Sequence, residues 1–237
     1  MLPKTNESFQ TLRFQAMSCP CEILVDSEDA VLGAELLDMA VREADRVEKK
    51  YSRFLPDSIV SQINQAGGKP VNPDEETRAL LHYARECFEI SGGLFDIKRG
   101  GADIDFGGIC KEYAADRILE LLVKRNPMST LVNLGWDIAA VGERLWSVGI
   151  EDVSRPGKMA QTIHIRKGGV ATSGTTKRGG HIINPRTGIP ADGAPRSVTV
   201  AAKTCTEAGF WSTLALLKGA AAETFLQEQG LEFWCYR

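Results

Sequence analysis

A double glycine wedged between a carboxylate and an amphipathic run constrains this chain more than any other feature. The stretch reads Ile104-Asp105-Phe106-Gly107-Gly108-Ile109-Cys110-Lys111-Glu112-Tyr113-Ala114-Ala115-Asp116. From Lys111 to about Lys124, the spacing of Tyr113, Ile118, Leu121 and Leu122 predicts a helix with one buried face. A strand or turn therefore enters a helix through two residues without a Cβ. Backbone N–H groups at a helix start lack intrahelical partners, and the helix dipole favours an anion there. Gly107 and Gly108 let a bulky anionic ligand approach closely, with Lys111 placed to meet it and Asp105 to fix a polar edge. The same residues also read as a glycine turn ahead of a surface helix, because neither the dinucleotide fingerprint nor the P-loop pattern is present.

Whatever fills the rest must be an ordinary globule. At 237 residues the chain supports one large domain or two small ones with a real core, and we treat residues 1–237 as one domain. With a net charge of −3, nothing favours nucleic acid or an anionic membrane surface. Met1 to Glu7 lack an apolar core segment and no run reaches membrane-spanning length, so a cytoplasmic location is expected. Of six cysteines only Cys19 and Cys21 are close, a weak metal signal without a second pair or a nearby histidine. Reduced thiols are expected.

Residues 11–16 and 22–27 read as strands, and Leu36, Leu37, Ala40, Val41, Ala44 and Val47 mark a helix over 30–50. Tyr51-Ser52-Arg53-Phe54-Leu55-Pro56-Asp57-Ser58 breaks that period. This aromatic, serine and arginine cluster suits a planar ring or a surface turn equally. Asn72 reads as an N-cap with Pro73 at the first helical position, opening a helix that carries Leu80, Leu81, Ala84 and Phe88 inward and stops near Gly92-Gly93. Leu131 to Gly135 reads as a buried strand ending in a turn, and 145–150, 161–166, 197–202 and 231–236 as further strands. Thr206 is expected to cap a helix running to Gly219, in which Gly209 costs about 1 kcal/mol relative to alanine. A last helix is expected over 220–229. His82 and His164 fall in periodic segments and read as structural. His181, after Gly179-Gly180 and before Asn184-Pro185, reads either as a loop residue or as a group reaching into a cleft to move a proton.

Seven segments in this order resemble the ApbE family of flavin transferases. They are Tyr51 to Asn64; Gly93-Leu94-Phe95-Asp96; Asp105 to Tyr113; Asn133-Leu134-Gly135-Trp136-Asp137-Ile138; Ala171-Thr172-Ser173-Gly174; His181 to Gly188; and Thr206 to Gly219. The resemblance implies an α+β fold: a mixed, antiparallel-rich sheet core flanked by helices, with a flavin groove between two lobes. It also implies a transferase that uses FAD and Mg2+ to move FMN onto a threonine or serine of a target flavoprotein, releasing AMP. By the same resemblance Met17, Phe54, Phe95, Asp96, Asp105, Gly107, Gly108, Lys111, Ser173, Gly174, His181, Ile182 and Thr206 belong to the flavin site. His181 is then the catalytic residue, and magnesium is held by the main-chain carbonyl at Gly108 and by Thr213.

The sequence departs from the family pattern at several points. The aspartate expected four residues before Thr213 is Gly209, Trp136 replaces the second glycine of an Asn-Leu-Gly-Gly-Asp run, and Asn184 replaces an aspartate. Only eight residues separate Asp96 from Asp105, where longer members carry an insertion. Glu207 and Glu112 are candidates for the missing carboxylate, although neither has the spacing to replace it simply. If the site is merely impaired, Gly209→Asp is expected to raise magnesium affinity. The alternative to a transferase is an FAD- or FMN-binding carrier that no longer transfers, and beyond that a scaffold with neither ligand.

Overall fold

Two-residue turns and period-two alternation organise the sheet. The computed structural model describes residues 9–175 and 182–237. Phe9–Ala16 (β1) and Cys19–Asp26 (β2) pair antiparallel across Met17 and Ser18, whose φ angles are 50° and 58°. Positive φ at both central residues is the requirement of a type I′ hairpin loop. Ser129–Leu134 (β3) and Asp137–Gly142 (β4) repeat the device across Gly135 and Trp136, at φ 66° and 74°. Trp146–Glu151 (β5) and Met159–Ile165 (β6) form a separate two-stranded ribbon. Gly168–Gly174 (β7), Ser197–Ala202 (β8) and Glu232–Tyr236 (β9) complete a seven-stranded sheet in the order β1-β2-β3-β4-β7-β8-β9. Every neighbouring pair in it is antiparallel.

Alternate residues of these strands face opposite layers. Val132, Leu134, Ala139 and Ala171 join the main core with the helices. Leu131, Ile138, Ala140 and Val170 turn the other way, onto Trp146, Val148, Ile163 and Ile165 of the β5–β6 ribbon. The helical layer contains Ala30–Tyr51 (α1), Ile59–Gln65 (α2), Glu75–Ile90 (α3), Cys110–Val123 (α4), Cys205–Leu217 (α5) and Ala222–Glu228 (α6). Helix α5 is apolar nearly all round, and it is buried between the main core and a smaller cluster of Val198, Val200 and Leu226. The fold is α+β, an antiparallel sheet flanked by helices.

Two caps differ from the sequence reading. Asp74, not Asn72, caps α3, because its carboxylate accepts from the Thr77 amide at 3.0 Å. Thr204, not Thr206, caps α5, its hydroxyl accepting from the Glu207 amide at 3.1 Å. The sequence reading also gave Asp137 to Gly142 no strand, and they form β4, whose small alanines read poorly as β-formers. Among the described residues no helix is long and apolar enough to cross a membrane.

Candidate functional site

A cavity of about 620 Å³ is lined by the loop leading to α4, the β3–β4 turn, strand β5, the ends of β7 and β8, and the C-terminal half of α5. The loop is fixed by alternation. Asn64 brackets the Ile104 main chain with two hydrogen bonds, at 2.8 and 3.0 Å. Phe106 is buried edge-on against Tyr51, with ring centroids 5.6 Å apart. With Ile104 and Phe106 turned inward, Asp105 and Gly107 line the cavity between them. Asp105 accepts from the Gly107 amide at 2.8 Å and pairs with Arg99 at 2.9 Å and Arg53 at 3.5 Å. Asp96 accepts from the amides of Lys98 and Gly100, at 2.8 and 2.9 Å, and so shapes its own loop. Phe54 is 80% exposed, with the Arg53 guanidinium 4.7 Å above its ring.

Helix α4 starts at the cavity without a side-chain cap. Lys111 donates to the buried Asp137 carboxylate, and its Nζ lies 3.9 Å from Glu112 Oε1. Burial, reinforced by the Glu112 charge, pushes Asp137 up to about 7 against the pull of Lys111. Burial also works against the Lys111 charge, yet Asp137 and Glu112 beside it push its pKa up. One cation thus faces two buried carboxylates. Glu112 is 5% exposed, and its Oε2 has no hydrogen-bond partner among the described residues.

On the α5 side, the Ser173 hydroxyl shares hydrogen bonds with Ser212 at 2.8 Å and Thr213 at 2.9 Å. A Cβ built on Gly209 would lie 2.5 Å from Glu112 Cγ and 3.0 Å from Oε1. Glycine at 209 is therefore the space that Glu112 fills. The two helices are held in register at Asp116, whose carboxylate accepts from the amides of Cys205 and Thr206, both at 2.8 Å, and from the Thr206 hydroxyl at 2.6 Å.

Of the residues singled out in the sequence, Phe54, Phe95, Asp96, Asp105, Gly107, Gly108, Lys111, Ser173, Gly174, Ile182 and Thr213 line the cavity. Met17 and Thr206 do not. Met17 forms the β1–β2 turn, where its amide donates to Glu48 at 2.8 Å and its side chain packs on the core. Thr206 is turned to Asp116. His181 lies outside the described residues. His82 and His164 are both exposed, the first beside Glu86 and the second beside Ser147. Sequence reasoning missed Arg99, Arg196 and Thr199, which also line the cavity. No local pattern marks them, because each is brought in by pairing or loop closure. Asn184, standing where an aspartate was expected, accepts from the Arg186 amide at 2.9 Å and holds its own turn.

Comparison with known proteins places this geometry in context. The model of the ApbE family matches residues 17–102 and 97–235. An FAD:protein FMN transferase of Treponema pallidum (strain Nichols) is 34% identical over 246 aligned positions, covering 73% of this chain and 68% of that protein. One from Klebsiella pneumoniae (strain 342) is 33% identical over 142 positions, covering 53% of this chain. That match spans 43% of the Klebsiella protein, so less than half of its length is represented. Among solved structures, the ApbE protein of Thermotoga maritima superposes with a TM-score of 0.87 at 24% identity, covering 96% of this chain and 94% of that one. The flavinyl transferase ApbE of Pseudomonas stutzeri, apo form, gives 0.82 at 20%, covering 96% and 90%.

Proposed function

The chain belongs to the ApbE family, and from that membership we propose that it transfers the FMN half of FAD to a threonine or serine hydroxyl of a partner flavoprotein. The observation that carries the reading is one cavity lined by the uncapped start of α4, with Gly107, Gly108 and Lys111, and by the hydroxyls of Ser173 and Thr213. A helix start with a lysine suits a pyrophosphate, and the apolar faces of Phe54, Phe95 and Trp136 suit a ring system.

In the reaction, the acceptor hydroxyl oxygen attacks the phosphorus of the FMN half. A new P–O bond forms, the P–O bond to the AMP phosphate breaks, and AMP leaves with the electron pair. His181 is the proposed acceptor of the hydroxyl proton. Lys111, held protonated by its carboxylate neighbours, and Arg99 and Arg196 on the cavity wall balance the anionic substrate. Asp105 keeps the Gly107 amide and the two arginines in place.

The proposal includes Mg2+. The orphaned Glu112 oxygen beside the cavity fits a bound hard cation, which prefers oxygen donors. When bound, the ion neutralises phosphate charge. The absence of a carboxylate at Gly209 favours a second reading, a flavin carrier without transferase activity.

The test is a calorimetric titration of flavin-free protein with FAD, with and without Mg2+, followed by incubation with a threonine-containing acceptor. Transfer is read as an acceptor mass gain of FMN less water. FAD binding that Mg2+ strengthens, with transfer, supports the first reading. Tight binding indifferent to Mg2+, without transfer, supports the carrier, and no FAD binding overturns both. Asp105→Ala is expected to weaken FAD binding roughly tenfold, because the Gly107 amide and two arginines lose their anchor. Equal FAD affinity in the variant and its parent would remove Asp105 from the site.

A further inference from the structure

We propose that Glu112, reaching across from α4 into the space left by Gly209 on α5, is the carboxylate ligand of a divalent cation held in the cavity together with Thr213. It rests on the flavin-transferase reading for the metal's purpose, though not for its ligands.

Helix register brings the two residues together. Asp116 of α4 bonds the first amides of α5, at Cys205 and Thr206. One helical turn back along α4 is Glu112, and one turn on along α5 is Gly209, so these two meet. The Glu112 Cγ does lie 2.5 Å from where a Gly209 Cβ would be. Gly108, just before the first turn of α4, and Thr213, one turn beyond Gly209 on α5, both line the cavity. The cavity wall there offers a main-chain carbonyl, a carboxylate and a hydroxyl, a donor set suited to Mg2+ or Mn2+.

The Glu112 carboxylate, 5% exposed with its Oε2 unpartnered among the described residues, is costly unless something satisfies it. Lys111 does not, because it donates to Asp137 and stands 3.9 Å from the other Glu112 oxygen. Lys111 is thus taken up by Asp137, and a divalent cation supplies the partner that the Glu112 oxygen lacks among the described residues. Glu207 has no such claim. Its carboxylate accepts from the Lys203 amide at 3.2 Å and does not line the cavity.

This reverses the expectation for Gly209→Asp. An added side chain there collides with Glu112 and sets two carboxylates at one place, so the single variant gains no metal affinity. The carboxylate is exchangeable between the two helices only as a pair.

The test uses full-length, flavin-free protein titrated with Mn2+, read by electron paramagnetic resonance, with Mg2+ as competitor. Wild type is expected to bind Mn2+. Glu112→Gln is expected to weaken it at least about tenfold, and Glu112→Gly with Gly209→Asp to bind within about threefold of wild type. Undiminished Mn2+ binding by Glu112→Gln overturns the assignment, as does a wild type that binds no Mn2+ with or without FAD. An FAD fluorescence titration runs alongside. FAD bound without any Mn2+ site overturns this assignment alone, whereas Mn2+ bound through Glu112 without FAD overturns the flavin reading alone. If circular dichroism shows Glu112→Gln unfolded, the paired variant decides: wild-type Mn2+ affinity sustains the proposal and absent binding overturns it.

Discussion

Trp136 is a residue whose backbone and side chain disagree. It occupies the second central position of a two-residue hairpin at φ 74°, a place where glycine is favoured and a bulky side chain is strained. Its ring is 40% exposed on the cavity wall. Strain of this kind, where a site residue sits, points to a use for the side chain. Trp136→Gly is therefore expected to leave the protein as stable or about 1 kcal/mol more stable, while weakening FAD binding. Calorimetric melting and an FAD titration check the two halves. A less stable variant with unchanged FAD affinity would make Trp136 a packing residue only.

At the scale of elements, the α4–α5 pair carries the site, and Asp116 locks it. The first three amides of α5 are satisfied from two sources: Cys205 and Thr206 by Asp116, and Glu207 by Thr204. Asp116→Ala removes three bonds to a half-buried carboxylate at the positive end of a helix dipole. The expected loss is about 2–4 kcal/mol in urea unfolding, with Asp116→Asn losing less. A loss within about 0.5 kcal/mol would show that apolar packing alone fixes the register. This pairing also explains what the sequence could and could not convey. Asp105, Gly107, Gly108 and Lys111 fall within one short stretch, so the sequence could mark them as a local pattern, and all four line the cavity. Glu112 and Gly209 are distant in sequence, and neither looks functional alone; only helix packing turns them into one feature. The two misplaced caps have the same origin. Thr206 is drawn to Asp116 from another helix, and Asp74 is held by Lys50 of α1, at 2.5 Å, as well as by its own Thr77 amide.

Across the whole molecule, Glu76 ties three helices that the sheet does not join directly. Its carboxylate on α3 accepts from Arg46 of α1, at 2.7 and 2.9 Å, from Lys50 of α1, and from the Tyr113 hydroxyl of α4 at 2.7 Å. Burial opposes its charge, but these donors win and lower its pKa from 4.5 to about 2. Helix α3 leads directly into the Phe95–Asp96 loop on the cavity wall, so loosening it reaches the site. The sign of the pH effect follows from the direction of the shift. A carboxylate more acidic in the folded state adds stability above its unfolded value of 4.5, and that stability fades as pH falls toward 2. Glu76→Gln is therefore expected to cost about 1–3 kcal/mol at pH 7, because charged hydrogen bonds to two helices weaken. The gap between variant and wild type should narrow steadily below pH 4.5. Urea unfolding of both proteins across that range gives the curve. A gap of constant size down to the lowest pH would mean that Glu76 acts by packing and neutral hydrogen bonding, leaving α3 anchored by Leu80, Ala84 and Cys87 in the core.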